Sequence, residues 1–487
     1  MSHRISHRIS RRSARSRLVA LVTAALAGPL LALAGLPGVP DLSAPAHAGV
    51  GSWTRISSGT VVNFAEPGTY RTPDGVLHIV YQRAHGTNSD LAFTNLSSTG
   101  AVLATGTAVG SWATLPADPK LIAGPAGGLR LVYGGLRTTD SSDPYATGQM
   151  YSSTSDSAGT SWTLQPGALT GSHSAYGSYG TGATTLADGT TPAVSFPLNS
   201  TLTWNTTGAG SGDGTYDFGR CCVYHSTLVR NGSDLWAAYA ANGSDAAHAG
   251  VFVQRLAPTL GAPTKAPASS QGVDLVMSVS EATPFLARPG GGMYLAYCLG
   301  YPTCTGVGLW RLGTSAPVTV PGAAGATHLA LAAGPHGRLW VAWSVPGGLI
   351  RITHTTATGS AFGAVTTIKA PTAAGVYGIS LAASDGSTDV LVNTGDALYD
   401  QQVLPGLSLR AAPLSWKHTT RKKVSFTVTD AGVAVAGASV TAAGRSCTTS
   451  AAGSCRISFK KTKRKGSFWA TARHSGYAAG TVQLKRR

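Results

Sequence analysis

The chain has 487 residues, of which 12% are charged, 62 are Gly and only two, Glu66 and Glu281, are Glu. Helix signals are nearly absent, whereas Val, Thr, Tyr and Trp recur between Gly-rich stretches, a composition that suits strands joined by turns. The net charge of +17 is not spread along the chain: residues 49–409 carry 15 Lys/Arg against 18 Asp/Glu, whereas residues 410–487 carry 16 Lys/Arg against Asp430 alone.

Arg4, Arg8, Arg11, Arg12, Arg15 and Arg17 open the chain, and an apolar Ala/Leu-rich run from Leu18 to about Leu36 follows. Ala46-His47-Ala48 then supplies the small-x-small end that signal peptidase cuts. Residues 1–48 therefore read as a secretory signal peptide, with the mature chain starting near Gly49. Arg11-Arg12 raises twin-arginine export, which the following Ser-Ala-Arg-Ser fits poorly. A retained membrane anchor is the rival reading. No later apolar run reaches the ~20 residues a bilayer requires, so no transmembrane segment is expected in the mature chain. The expected location is extracellular, with association to the cell envelope.

A repeat follows, built on a Gly-containing turn and a short apolar strand. Its copies are Gly75-Val-Leu-His-Ile-Val-Tyr81, Gly128-Leu-Arg-Leu-Val-Tyr133, Gly189 to Phe196, Gly232 to Tyr239, Gly292-Met-Tyr-Leu-Ala-Tyr297, Gly337 to Trp343 and Gly386 to Asn393. The average step is about 52 residues. A strand carrying Leu121, Leu186, Leu228, Leu286, Leu331 or Leu381 precedes most of the turns. A third strand follows, as at Leu91, Met150, Val251, Val307 and Leu349, with room for a fourth, as at Ala101-Val-Leu-Ala or Phe362-Gly-Ala-Val. Four short antiparallel strands per repeat make a propeller blade. A parallel β-helix would have shorter rungs, and Ig-like domains would need ~100 residues each. The predicted fold is all-β: a six- or seven-bladed β-propeller over 49–409, seven preferred, followed by a small basic β-sandwich over 410–487.

Within the second repeat, Ser155-Asp156-Ser-Ala-Gly159-Thr-Ser-Trp162 resembles the Asp-box of sialidase-like (BNR-repeat) propellers. One extra residue separates Asp156 from Gly159, and Ser161 stands where that family has Thr. The resemblance implies a structural turn away from the catalytic face, in which Asp156 accepts backbone amides. It also implies what a sialidase-type site would need: three arginines for a carboxylate, a Tyr nucleophile supported by Glu, and an Asp acid/base. Tyr70-Arg71-Thr72-Pro73 is similar to the family's first arginine motif, although it runs straight into the ordinary Asp74-Gly75 turn. Candidate catalytic residues are thus Arg71, Tyr224, Glu281 and Asp217. The full arginine cluster does not assemble from Arg83, Arg137, Arg220 and Arg288.

Propeller geometry nominates a site independently, because the loops leading into each inner strand and those after each second strand gather at one end of the channel. The first set offers Glu66, Tyr70, Arg71, His173, Tyr179, Asp217, Arg220, Tyr224, His225, Glu281, His328 and Tyr377. The second offers Arg83, His85, Arg137, Asp140, Asp143, Asn242, His248 and Tyr301. Tyr70, Arg220, His225, His328 and Tyr377 are the candidate ligand-binding residues. The densest stretch, Asp213 to His225, is expected to be the longest connection between repeats, either a binding loop or a disulfide-pinned plug. The scattered His residues have no metal-ligand spacing, Asp140-Ser-Ser-Asp143 reads as an exposed turn before a Ca²⁺ site, and no phosphate or dinucleotide motif is present. No metal or cofactor is expected.

The six cysteines suit disulfides outside the cell. Cys298/Cys304 and Cys447/Cys455 would enclose short loops, whereas Cys221 and Cys222 would either bond each other or pair across to Cys298 and Cys304.

In the C-terminal part, Val424-Ser-Phe-Thr-Val-Thr alternates as a strand, and Gly437-Ala-Ser-Val-Thr, Thr448 to Gly453 and Phe468 to Tyr477 follow. This order resembles Ig-like or carboxypeptidase-regulatory-like β-sandwich modules. Lys460-Lys461-Thr-Lys463-Arg464-Lys465 and Lys485-Arg486-Arg487 favour salt-sensitive contact with a polyanion. An anionic wall polymer or acidic polysaccharide is the expected partner; sparse aromatics disfavour nucleic acid. The leading expectation is a carbohydrate- or glycoconjugate-binding propeller at the envelope. Exo-sialidase activity and a non-catalytic protein-interaction role are the alternatives.

Overall fold

A computed structural model describes residues 50–62, 66–115, 118–171, 180–208, 213–219, 222–242, 245, 247–269, 283–300, 303–373, 375–384 and 386–487. The signal-peptide reading of residues 1–48 lies outside them, as do His173, Tyr179, Arg220, Cys221, Glu281 and Tyr301. Among the described residues the only helical segment is one 3₁₀ turn, Pro125–Gly127, and no helix is long and apolar enough to cross a membrane.

Seven four-stranded antiparallel sheets follow one another along the chain. Their first strands are Gly68–Arg71, Lys120–Ala123, Gly182–Thr185, Val223–Asn231, Phe285–Ala287, His328–Ala333 and Gly378–Ala383. Each of these strands touches the first strand of the next sheet, and the last touches Gly68–Arg71, which closes a ring. The result is a β-propeller. Sheet seven takes its outermost strand, Thr54–Arg55, from the N-terminal side, where it pairs with Leu398–Val403.

Alternation explains the packing. In Leu77–His85 of sheet one, Leu77, Ile79 and Tyr81 enter the junction with sheet seven, against Leu391 and Leu398. Val80 points the other way, into a cluster with Tyr133 and Tyr151 of sheet two. Every junction around the ring holds such a cluster, for example Phe196 with Val132, Tyr239 with Trp204, Trp310 with Val253, Trp343 with Leu309, and Val392 with Ile352. Strands of this kind are buried on both faces, which is why they read as short apolar runs.

Two expectations about local structure are corrected. Asp213 to His225 is not one connection: Asp213–Asp217 is the fourth strand of sheet three, paired with Thr201–Asn205. Its Gly214 permits this, since a Cβ there would lie 2.4 Å from the Trp204 ring that covers the strand. In sheet six, Phe362 makes only an isolated bridge to Thr355. The fourth strand there is Thr366–Lys369.

The turn at Asp156 is built as an acceptor site. Its carboxylate takes the Thr160 amide at 2.8 Å, the Ser161 amide at 3.2 Å and the Thr160 hydroxyl at 3.0 Å. Trp162 packs towards Phe93 of sheet one.

The C-terminal residues form two further sheets, one containing Ser408–Ala412, Lys422–Asp430 and Ser454–Phe459, the other Ser439–Ala442, Gly466–Arg473 and Gly480–Arg486. They enclose a shared core of Trp416, Val424, Phe426, Phe459, Ala470 and Leu484. Cys447–Cys455 ties one sheet to the other.

Candidate functional site at the mouth of the channel

Because each sheet is antiparallel, the starts of the first strands share one end of the ring with the connections between second and third strands. The turns between first and second strands lie at the other end. At the first end, which we call the mouth, opens a cavity of about 290 Å³ walled by all seven first strands.

One charged group of the wall is neutralised. Lys120 Nζ donates to Glu66 Oε2 at 2.7 Å, with both side chains about one-fifth exposed. The Glu66 amide donates to Asp118 Oδ1 at 2.9 Å, and the Thr181 hydroxyl reaches the Asp118 carbonyl at 3.2 Å. This network joins sheets one, two and three. Across the mouth, Thr227 Oγ1 donates to the Thr283 carbonyl at 2.5 Å, and the Thr283 amide donates to the His225 carbonyl at 2.8 Å. Thr283 and Ser380 are among the residues that wall the cavity, and their hydroxyl oxygens are buried with no hydrogen-bond partner among the described protein atoms. Thr69 adds a further hydroxyl residue, and the rest of the wall is apolar, with Gly68, Gly182, Ala183, Leu228, Phe285 and Ala330 among it. It therefore offers hydroxyl groups and one ion pair to a polar, uncharged ligand. No arginine is among the described residues of this wall.

Several sequence candidates stand at this end. Tyr377, 37% exposed, directly precedes Gly378–Ala383, and His328 is the first residue of its strand. Tyr224 and His225 follow Val223 at the start of sheet four; His225 is buried, with φ +59 at an irregularity in the pairing. Asp217 ends the preceding strand and is exposed, and the Gly219 amide holds its carboxyl below the usual range. Glu281 and Arg220 lie outside the described residues.

Tyr70 and Arg71 do not belong to this group, contrary to the expectation. The strand begins at Gly68, and Arg71 pairs with Leu77 at the turn, so both residues sit at the opposite end of the ring. There they line a separate cavity of about 910 Å³ between sheets one, six and seven. The Arg71 guanidinium is committed to Asp389 and to the Gly75 carbonyl.

The connections between second and third strands do reach the mouth, where they are internally paired. Arg137 makes a two-point ion pair with Asp143 at 2.7 and 2.8 Å and lies 4.3 Å over Tyr145. Arg83 and His85 both meet Asp90. His248 meets Asp245 at 2.7 Å. Cys298–Cys304 closes the corresponding loop of sheet five, and Cys222 is also disulfide-bonded. No cluster of three or more potential metal ligands occurs among the described residues.

Sequence reading missed Asp118, Lys120, Thr181, Thr227, Thr283 and Ser380. Asp118, Lys120, Thr181 and Thr283 stand at or just before strand starts, whereas Thr227 and Ser380 lie within their strands, and only the ring brings them together. The strand-start rule itself was the usable signal, as it was for Glu66.

No family model matches the chain, and no curated protein matches it. Among solved structures, a PL25 ulvan lyase is 11% identical with a TM-score of 0.44, covering 72% of this chain and 95% of that one. The β-propeller domain of the Trilobed protease from Pyrococcus furiosus is 8% identical with a TM-score of 0.40, covering 72% and 96%. An α-L-arabinanase of Penicillium chrysogenum in complex with arabinobiose is 13% identical with a TM-score of 0.39, covering 72% and 94%.

Proposed function

We propose that this is an exported carbohydrate-binding propeller that holds a neutral sugar unit at the channel mouth without cleaving it. The observation that carries the reading is the wall itself: hydroxyl residues Thr69, Thr227, Thr283 and Ser380 from four different sheets, with the Glu66–Lys120 pair already neutralised. A cavity of about 290 Å³ is at the small end of ligand sites and suits one or two sugar rings. Tyr377 supplies an exposed ring at the rim. Most glycoside hydrolases bring two carboxyl groups to one bond, and at this wall Glu66 is engaged by Lys120.

The exo-sialidase reading keeps one specific support, the placement of Tyr224 and Asp217 at the mouth edge of adjoining sheets. The sialidase-like resemblance rests on the acceptor turn at Asp156. In this reading the C-terminal sheets are an Ig-like module whose net +15 holds the chain to an anionic envelope polymer.

Glycan-array screening followed by calorimetry tests the proposal. Sugar binding is expected to be weakened by Glu66→Gln and Tyr377→Ala, with no turnover of a fluorogenic sialoside. Turnover lost in Tyr224→Phe would replace it with the hydrolase reading.

A further inference from the structure

Of the ten tryptophans, nine are buried or half-buried, and Trp469 alone is exposed, at 60%. It lies in Gly466–Arg473, where Ala470 and Ala472 face the core and Trp469, Thr471 and Arg473 face outwards. Residues directly opposite in antiparallel strands share a face. Gln483 is opposite Trp469, Thr481 is opposite Thr471, and Lys485 is opposite Ser467, one pair along from the indole. The outer face of this sheet is therefore an exposed platform that carries an indole, with an amide and hydroxyls around it and Lys485 and Arg473 towards its two ends.

An indole on an exposed sheet face, flanked by hydrogen-bonding and cationic side chains, can gain hydrophobic free energy by stacking on a partner. The charge of the surroundings selects which one. Asp430 is the only carboxylate side chain in residues 410–487, and it is buried against Arg338 and His354 of the propeller. Nothing acidic on the module therefore offsets Lys485, Arg473 or the exposed run Lys460–Lys465 that leads into the Trp469 strand.

We infer that this face is a binding platform for an acidic polysaccharide. The apolar C–H face of a pyranose stacks on Trp469, Gln483 and Thr481 take ring hydroxyls, and Lys485 and Arg473 take carboxylates on neighbouring sugars. Single-stranded nucleic acid is the poorer match, because it is held by successive aromatic rings and this face has one. The inference rests on the proposed contact of the basic module with anionic polymer, and it assigns that contact a place and a sugar-specific component.

The test uses the purified full chain, Trp469→Ala and the pair Arg473→Gln/Lys485→Gln, with polygalacturonate, neutral dextran, polyphosphate and oligo-dT as probes. Polygalacturonate binding is expected to fall about tenfold or more in Trp469→Ala, while polyphosphate binding is unchanged. The double charge variant is expected to weaken both. Polygalacturonate is also expected to shield wild-type fluorescence from iodide, with no such shielding in Trp469→Ala. Unchanged polygalacturonate binding in Trp469→Ala overturns the platform but leaves the basic-module reading standing. Absence of binding to any polyanion overturns that reading as well. Tighter, Trp469-dependent binding of oligo-dT would assign the face to nucleic acid instead.

Discussion

Arg71, the last residue of the innermost strand of sheet one, is ion-paired with Asp389 of sheet seven, so the first and last sheets of the ring are joined by charge as well as by the N-terminal strand. The carboxylate is 2% exposed and the guanidinium 14%. Removing the arginine strands a buried anion. Arg71→Ala is expected to lower stability by about 3–5 kcal/mol, read from urea unfolding, and Asp389→Leu added to it should recover a large part. Sugar binding at the mouth should persist in the folded fraction, because Arg71 is at the far end. A variant of full stability that had lost binding would refute this structural role.

The same junction predicts a pH response. Asp400 lies fully buried beside it, with neither oxygen hydrogen-bonded among the described atoms. Burial first, and the neighbouring Asp389 second, push its pKa well above the ordinary value. Asp389 is itself pushed up to about 6 by burial, against the pull of Arg71. A carboxyl with a raised folded-state pKa holds a proton that the unfolded chain has released, so its stabilising share is present in acid and is lost as pH rises. The melting temperature is expected to fall between about pH 4 and pH 7 on this account. Asp400→Asn should flatten the fall and melt higher than wild type at pH 8. Parallel curves for the two proteins would count against it.

Much of the ring was legible because burial on both faces leaves a compact signal: a Gly turn, then Leu, Ile, Val or Tyr in alternation, as in Leu77 to Tyr81. The outermost strands carry no such signal. Thr264–Lys265 and Val318–Thr319 are two residues each and half or fully exposed, so no apolar period marks them. Asp213–Asp217 was hidden by its Gly and Asp residues, which favour turns; Trp204 of the paired strand supplies the packing that overrides them. At the mouth, Glu66 was visible as a strand-start residue. Its partner Lys120 is 54 positions away, and only the packing of sheet one against sheet two brings the two together. Arg71 was misplaced for a local reason: the motif suggested a role, while the register with Leu77 decided which end it occupies.

Gly159 in the acceptor turn has φ +66, and a Cβ there would lie 2.5 Å from His78 Nδ1. That imidazole is buried and bonded to Asn95 Oδ1 at 3.0 Å, and Asn95 Nδ2 donates back to the carbonyls of Ala158 and Gly159. Sheet one thus reads the turn of sheet two through His78 and Asn95. Gly159→Ala combines backbone strain with overpacking and is expected to cost about 2–3 kcal/mol. Asp156→Ala removes solvent-exposed hydrogen bonds and should cost about 1 kcal/mol or less. Chemical denaturation of the two variants checks the ranking. Equal costs would mean that the inter-sheet contact contributes little.

Asp430 fastens the C-terminal sheets to sheet six: His354 Nε2 donates to Oδ1 at 2.5 Å and Arg338 to Oδ2 at 2.7 Å. His354 ends a third strand, so the attachment is at the end of the ring opposite the mouth. Burial by itself would raise the Asp430 pKa; the bond and charge from His354, with the Arg338 guanidinium, more than offset this and hold it below the ordinary value. A depressed folded-state pKa gives stability that is present above the unfolded value near 4 and is lost as pH falls through the folded one. Asp430→Ala removes the fastening at every pH, at an expected cost of about 1–3 kcal/mol. Protease cleavage between Val403 and Ser408 should quicken below about pH 4 in wild type, and in the variant already at pH 7. Glycan binding at the mouth should not change. Cleavage of Asp430→Ala at the wild-type rate at pH 7 would show that the isolated bridges from Gly406 to Ala364 and to Ala478 hold the junction without the charge.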